Sequence, residues 1–295
     1  VSSFLQRAES HGLQYIADAD LSITSDDILE GDLKEKLSKY SSTRVQREQY
    51  IDFFSNRLMR RSVLCRSAVE LCQQPLADKI AEFWLASPAR LLGPGTDSAE
   101  MDSDVGVGEV FEIPGRGTIT CQNRLTAAAF RHLSQIWPES IEFEQLYHIA
   151  HDLVPEDCDS QSKQELCFAL QQMFFKGVLK LDQGRLPYTS DMSECPKVDP
   201  LVQVEAQMRT RVTSGRHEYV LLDEFTCAVL EHLDGYSDKQ LVFKKLKKRK
   251  RTNLTVESGS KTTQINLKKI DKASFFEWWE HVMPELARRG VLLKA

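Results

Sequence analysis

Twice in this chain a stretch of helical period closes on a glycine and passes at once into a short apolar run: residues 163–176 lead into Gly177-Val178-Leu179, and residues 273–289 into Gly290-Val291-Leu292. A glycine after the last turn supplies the left-handed backbone that ends a helix, and the apolar triplet behind it reads as a short strand. The elements before both endings recur in one order. In the earlier copy TITC precedes a helix at about Leu125–Ile136, then Trp137-Pro138, a short IEF and a helix at about Glu144–Leu153, and the run after the glycine is GVLKLD. In the later copy EYVLLD precedes a helix at about Glu224–Leu233, then Asp234-Gly235, a helix from about Asp238 and a long polar insertion, and the final run is GVLLKA. Helix, turn, helix, helix, glycine, strand is the order of a winged helix. The sequence thus predicts two winged-helix-like units, at 113–187 and 201–295, parted by the Pro- and Gly-containing stretch Gln183 to Pro200.

Upstream, residues 1–92 read as a helical domain. Phe4, Leu5 and Ala8 share one side of an opening amphipathic helix, and Thr24, Ser25 and Asp26 offer caps for a helix whose apolar positions are Leu29, Leu33, Leu37 and Tyr40. Further helices are expected at roughly 44–58 and 68–84, with Ser62 to Cys65 extended between them. Residues 93–112 then carry Gly93-Pro94-Gly95 and six acids (Asp97, Glu100, Asp102, Asp104, Glu109, Glu112) without a base, which reads as an acidic linker and a domain boundary. The expected fold class is mainly α with small β: a helical domain followed by two winged-helix-like units. A length of 295 residues fits that division.

Charge narrows the partners. The net charge of −5 hides an asymmetry: seven of the 38 basic residues fall in the eight positions Lys244 to Arg251, and without them the balance is 31 against 43 acids, or −12. Such a surface repels polyanions everywhere but at that run. No apolar run approaches the roughly 20 residues a transmembrane helix needs, so a membrane partner is not expected. The seven cysteines, an odd number, form no C-x-x-C pair and sit mostly among apolar residues, as thiols do in a reducing compartment. The cytoplasm is the expected location. The first residue is Val1, and the segment after it lacks the pattern of a signal peptide, so the start reads as a point inside a longer protein.

Few motifs carry chemistry. Asp104-Val105-Gly106-Val107-Gly108-Glu109 has the spacing of a nucleotide-binding glycine turn, but no apolar strand precedes it and Glu109 stands where a third small residue belongs, so an acidic linker is the better reading. His148 and His151 share a helix face beside Asp152, without the third ligand a zinc site needs. Neither a nucleophile elbow nor a phosphate-binding lysine loop occurs. No catalytic, cofactor or metal residue is therefore assigned. Lys244, Lys245, Lys247, Lys248, Arg249, Lys250 and Arg251 are candidate polyanion contacts. Their mutual repulsion, and the weak apolar periodicity of RTNLTVESGSKTTQ behind them, predict a segment that leaves its helix as a mobile, solvated loop. The third helices of the two units, KQELCFALQQMFFK and EWWEHVMPELARR, lack the basic stripe of a DNA reader, which makes nucleic acid the weaker alternative. A second cationic stretch holds Arg44, Arg47, Arg57, Arg60, Arg61 and Arg66. Guanidinium forks suit carboxylates, so Asn56, Arg57, Arg60, Arg61 and Arg66 form a candidate interface, against the alternative that they pair within the stretch with Glu48 and Asp52.

HGLQYIADADL (His11 to Leu21) and REQYIDFFSNRLMRRSVLCR (Arg47 to Arg66) resemble the predicted methyltransferase regulatory domain found mainly in bacterial proteins. Matching positions are Gly12, Leu13, Gln14, Tyr15, Arg47, Glu48, Gln49, Tyr50, Asp52, Phe53, Asn56, Arg57, Arg60, Leu64 and Arg66; Met59 stands where an aromatic residue is usual, and methionine fills similar space. The downstream strings ITCQNRLTAAAFRHLSQIWPESIEF and RHEYVLLDEFTCAVLEHLDGYSDKQLV are similar to the C-terminal parts of such proteins. The resemblance implies a non-catalytic, regulatory or substrate-docking portion of an S-adenosylmethionine-dependent methyltransferase, of the kind that modifies protein lysines. S-adenosylmethionine is then expected on a catalytic domain in the same polypeptide rather than on these residues. A protein substrate is the implied partner, and a homodimer is compatible with it.

Overall fold

The computed structural model describes residues 2–19, 32–72, 76–94, 108–155, 161–258 and 261–294. They fall into two compact units, one of residues up to 82 with 156–181, the other of residues 83–155 with 182 onward.

In the first unit α1 (Ser2–Ser10) leads to β1 (Leu13–Asp18), followed by α2 (Asp32–Tyr40), α3 (Arg44–Phe54) and β2 (Ser62–Arg66). The two strands form an antiparallel ribbon from Leu13 opposite Arg66 to Asp18 opposite Ser62, with an irregularity between Tyr15 and Ala17. Thr43 caps α3 by accepting the Gln46 N–H at 3.2 Å, which satisfies one of the free donors of the first turn. Asn56, at φ 49°, takes the left-handed turn that ends α3 and sends the chain back toward β2.

The second unit begins with β3 (Trp84–Ala86), β4 (Arg90–Pro94), β5 (Glu109–Ile113), β6 (Gly117–Cys121), α4 (Arg124–Ile136), β7 (Ile141–Glu142) and α5 (Phe143–Leu153). β4, β5 and β6 make an antiparallel meander, and β3 pairs with β7. α6 (Ser162–Phe175) lies in the first unit, and β8 (Lys180–Asp182) leads out of it. Next come β9 (Lys197–Val198), α7 (Pro200–Met208), β10 (Arg211–Thr213), β11 (Tyr219–Leu221), α8 (Glu224–Leu230), α9 (Lys239–Lys247), β12 (Asn253–Ser258), β13 (Lys261–Asn266), α10 (Lys272–Arg288) and β14 (Leu292–Leu293). Strands β10 with β11, β12 with β13 and β9 with β14 pair antiparallel around a core that includes Phe225, Leu230, Phe275, Trp279 and Met283.

Both glycine endings take the same form. Gly177 and Gly290 have φ of 70° and 68°. The N–H of Gly177 bonds Phe174 O and that of Val178 bonds Met173 O; Gly290 bonds Ala287 O and Val291 bonds Leu286 O. This paired closure satisfies the last helical carbonyls. It delivers Val178 and Val291 into buried positions.

The mainly α expectation is overturned. The described residues are 45% helical and 21% strand, spread over many small sheets, which makes an α/β mix. Ser62 to Cys65 and the runs behind the two stop glycines were expected to be extended; strands such as β1, β3, β4, β5, β9 and β10 were not, being two to six residues long and too short to show a period. The helix expected at 68–84 reduces to a 3-10 turn at Ala77–Glu82. Pro75 stands in the middle of that stretch and disfavours helix both at its own position and at the one before it. The helix expected at 44–58 stops at Phe54. After Arg251 the polar insertion is not a loop: it forms the hairpin of β12 and β13. Its period-2 signal, Leu254 and Val256 against Ile265 and Leu267, is diluted by threonines and charged residues. The two ends of the 93–112 stretch are strands paired with each other, Pro94 opposite Glu109. The caps Thr24, Ser25 and Asp26, Leu29, the acids Asp97, Glu100, Asp102 and Asp104, and Cys158 lie outside the described residues.

Candidate functional site

The arginine stretch folds onto three carboxylates. Asp18 at the end of β1 and Glu48 and Asp52 one turn apart on α3 are buried, at 1%, 3% and 7% exposure. Burying an ionised carboxylate is tolerated only when it is paired and hydrogen-bonded, and each of these is. Arg60 uses its whole fork: Nε donates to Asp52 Oδ2 at 2.6 Å, Nη1 to Glu48 Oε2 at 2.6 Å and to the Tyr15 hydroxyl at 3.1 Å, and Nη2 to the Glu48 carbonyl at 2.8 Å. Arg57 Nη1 bridges Asp18 and Asp52, each at 3.4 Å. Arg44 Nε reaches Glu48 Oε1 at 3.0 Å. Burial and the hydrogen bond it gives to Glu48 raise the Tyr15 hydroxyl above its ordinary pKa, so it remains a proton donor in the network. The ribbon supplies Tyr15 and Asp18, the helix supplies Arg44, Glu48 and Asp52, and the turn after Asn56 aims both arginines back at them.

This arrangement separates the candidate interface residues into two groups. Arg57 and Arg60, at 10% side-chain exposure, turn inward and join β1, α3 and the following turn. Asn56, Arg61 and Arg66 lie on the surface, and Arg61 contributes its backbone N–H to Asp18 at 3.4 Å. Sequence reasoning had Glu48 and Asp52 as pairing partners but missed Asp18. Its place in IADADL, in a strand whose apolar neighbours are only partly buried, gave no periodic signal. Beside the network, Phe53, Leu58 and Met59 are exposed at 70%, 91% and 84%.

The basic run is also largely spoken for. Lys244, Lys245 and Lys247 stay in α9. Lys245 pairs with Asp234 at 3.0 Å, Lys247 donates to the carbonyl of Lys268 at 2.9 Å, Arg249 pairs with Glu231 at 2.6 Å and Arg251 with Glu224 at 2.6 Å. Lys244, Lys248 and Lys250 remain exposed. The segment therefore ties α8, α9 and the hairpin together, where electrostatic repulsion alone would have detached it.

The remaining motifs take ordinary places. Gly108 precedes strand β5, and a Cβ there would stand 2.9 Å from Thr120 Cγ2 and 3.0 Å from the Cys121 carbonyl, so the glycine permits close packing on β6. Of the motif Asp104 to Glu109 only Gly108 and Glu109 lie within the described residues, and Glu109 begins strand β5, where a cofactor turn would open a helix. His148 is exposed on α5, while His151 lies 3.8 Å from Asp152, and both rings stand against Tyr147. Among the described residues no group of three His, Cys, Asp or Glu side chains could hold a metal ion, and no helix is long and apolar enough to cross a membrane. Among the described residues no cysteine is in a disulfide, and burial pushes the Cys121 thiol up to about 11 and the Cys227 thiol up to about 12. Neither is a thiolate near neutrality.

Residues 1–66 match the family model described as the predicted methyltransferase regulatory domain, in agreement with the resemblance drawn from the sequence. Residues 194–291 match the model of the PKMT C-terminal winged helix domain. An uncharacterized protein of Rickettsia prowazekii (strain Madrid E) is 22% identical over 244 residues, which cover 81% of this chain and 43% of that protein. The structure of PKMT2 from Rickettsia typhi in complex with AdoHcy superposes with a TM-score of 0.75 at 18% identity, over 99% of this chain and 58% of that one. A second structure of PKMT2 from Rickettsia typhi gives 0.73 at 18% identity. The chain shares the fold of more than half of PKMT2 and spans about half the length of the relatives it matches.

Proposed function

We propose that this chain is the non-catalytic, regulatory or substrate-docking region of an S-adenosylmethionine-dependent methyltransferase that acts on protein, with the catalytic domain in the same polypeptide. The observation that carries this reading is the pairing, on one chain, of a regulatory-domain match at 1–66 with a PKMT winged-helix match at 194–291. Two features support it. The glycine motif with cofactor-like spacing ends at Glu109, the first residue of strand β5, which favours a cofactor site on a separate catalytic domain. Arg57, Arg60 and four of the seven cations at 244–251 are taken up by partners within the fold, as suits a scaffold better than a reaction centre. The competing nucleic-acid reading loses ground because four of the seven cations at 244–251 are engaged internally.

The test is methyl transfer from labelled S-adenosylmethionine, measured on the polypeptide that joins this chain to its catalytic domain, with and without residues 194–294. Removal is expected to lower kcat/KM for the protein acceptor while leaving the affinity for S-adenosylmethionine unchanged. Methyl transfer by the 295-residue chain alone would overturn the proposal.

A further inference from the structure

A cleft of ≈ 540 Å³ opens in the second unit beside β11. Tyr219, Val220 and Leu221 line it, but no residue of β10 does, so it lies along the edge of β11 that β10 leaves free. The hydrogen-bond alternation of the hairpin fixes what that edge offers. Ser214 N–H bonds Glu218 O and Leu222 N–H bonds Thr210 O, which makes Val220 opposite Val212 the intervening hydrogen-bonded pair. The N–H and C=O groups of Tyr219 and Leu221 therefore point away from β10, toward the cleft. Their side chains are 67% and 74% exposed, while Val220 turns into the core.

The cleft also carries cations: Arg90 at the start of β4 and Arg288 and Arg289 at the end of α10 line it. Arg289 and Arg90 share Glu285 Oε1, at 3.2 and 3.7 Å. Arg216, also in the lining, is spent on the Pro138 carbonyl at 2.7 Å and on Asp182 at 3.2 Å, and stacks over Trp137. Arg288 is different: it is half-buried and makes no hydrogen bond or ion pair among the described residues. Burial and then the neighbouring Arg90 charge lower its pKa, and the Glu285 carboxylate, already engaged by Arg289, offsets them only in part. Glu112 and Glu218 in the same lining keep the cleft from serving as a general polyanion trough.

We propose that this cleft binds an extended peptide segment bearing a carboxylate, which pairs as a strand with the free edge of β11 while its carboxylate meets Arg288. The mode is strand addition, where main-chain bonds give affinity and a side-chain site gives selection. The inference rests on the docking reading above, with the segment belonging to the protein that accepts the methyl group.

Binding to this chain is the readout, so no methyl transfer is needed. A fluorescein-labelled, end-capped nonapeptide of alternating valine and glutamate is titrated by fluorescence anisotropy. Saturable binding is expected, with Arg288→Ala weakening it about tenfold, as for loss of one charge-assisted hydrogen bond. Lys244→Ala, on an exposed side chain outside the cleft, should leave it nearly unchanged. The glutamine version of the peptide should match the Arg288→Ala loss, and backbone N-methylation should abolish binding to the unaltered chain, a measurement independent of any variant's folding. Absence of saturable binding overturns the proposal; so does binding that survives N-methylation, which would mark a free-anion pocket, or binding indifferent to both Arg288→Ala and the glutamine peptide. If the peptide binds as expected but removal of 194–294 leaves protein methylation unchanged, the cleft stands and the docking reading falls.

Discussion

Residues 2–66 and residues 194–294 bury side chains of opposite kinds. Among the described residues of the first region the buried set is Leu5, Ala8, Leu37 and Ile51 together with three carboxylates, Asp18, Glu48 and Asp52. The second region buries 22 apolar side chains in one cluster, and among its described residues the only buried carboxylate is Glu205. The difference lies in how each set resists change. An apolar cluster loses stability in proportion to the contacts removed, whereas a buried ion pair contributes little net energy when whole and costs much when half of it is taken away. The N-terminal network is thus better suited to fixing the geometry of ribbon, helix and turn than to supplying stability, and the C-terminal cluster does the reverse.

The strongest test is a cycle at Arg60. Arg60→Met alone leaves Glu48 to Arg44 and Tyr15 and Asp52 to the longer Arg57 contact, and is expected to cost about 3 kcal/mol, read by urea unfolding. Combining Arg60→Met with Glu48→Leu and Asp52→Leu is expected to recover most of that loss; failure to recover would mean that the network stabilises outright. Phe275→Ala, in the heart of the apolar cluster and edge-on to Phe225 at 6.3 Å, should cost about 3–5 kcal/mol with no compensating partner change available.

Acid sharpens the comparison within the second region. Partial burial would raise the Asp234 carboxyl, but the N–H groups of Tyr236 and Ser237, the Ser237 hydroxyl and the Lys245 ammonium outweigh it and hold the group well below the usual carboxylate range. A depressed carboxyl contributes stability that is present above its unfolded value of roughly 4 and is lost as pH falls toward the folded value. The difference in Tm between the unaltered chain and Asp234→Asn should therefore be largest at pH 6–7, shrinking below about pH 4. A difference independent of pH would assign the effect to packing. Thr43→Ala, which removes the cap of α3, should cost about 1 kcal/mol. At the bottom of the scale, Lys244→Ala, on an exposed side chain, should change stability by less than about 0.5 kcal/mol; a larger loss would give the basic run a structural weight that its three exposed lysines do not suggest.

Much of the helical framework was legible because it rests on local chemistry. The stop glycines Gly177 and Gly290 act through their own backbone, and α4, α5, α8 and α10 are found within a few residues of where apolar spacing and capping residues put them. The ribbon of β1 and β2 was not legible: its strands lie more than forty residues apart and their pairing is a long-range event. The same holds for the candidate site. Arginine density near Asn56 could be read from composition, but not the direction of the guanidinium groups, which depends on the left-handed Asn56 and on carboxylates brought in from β1 and α3.

By itself the sequence determined, to within a few residues, where α4, α5, α8 and α10 start and stop, the charge asymmetry, and the motif strings at 11–21 and 47–66 that relate the N-terminal region to methyltransferase regulatory domains. Only tertiary structure decided that Arg57 and Arg60 turn inward, that Lys245, Lys247, Arg249 and Arg251 hold elements together, and that Arg288 lines the same cleft as β11. The physical reason is range. Caps, glycine stops and charge runs act over three to five residues, so the string encodes them directly. Ion-pair partners are chosen in space, among side chains that share no neighbourhood in the string until the chain has folded.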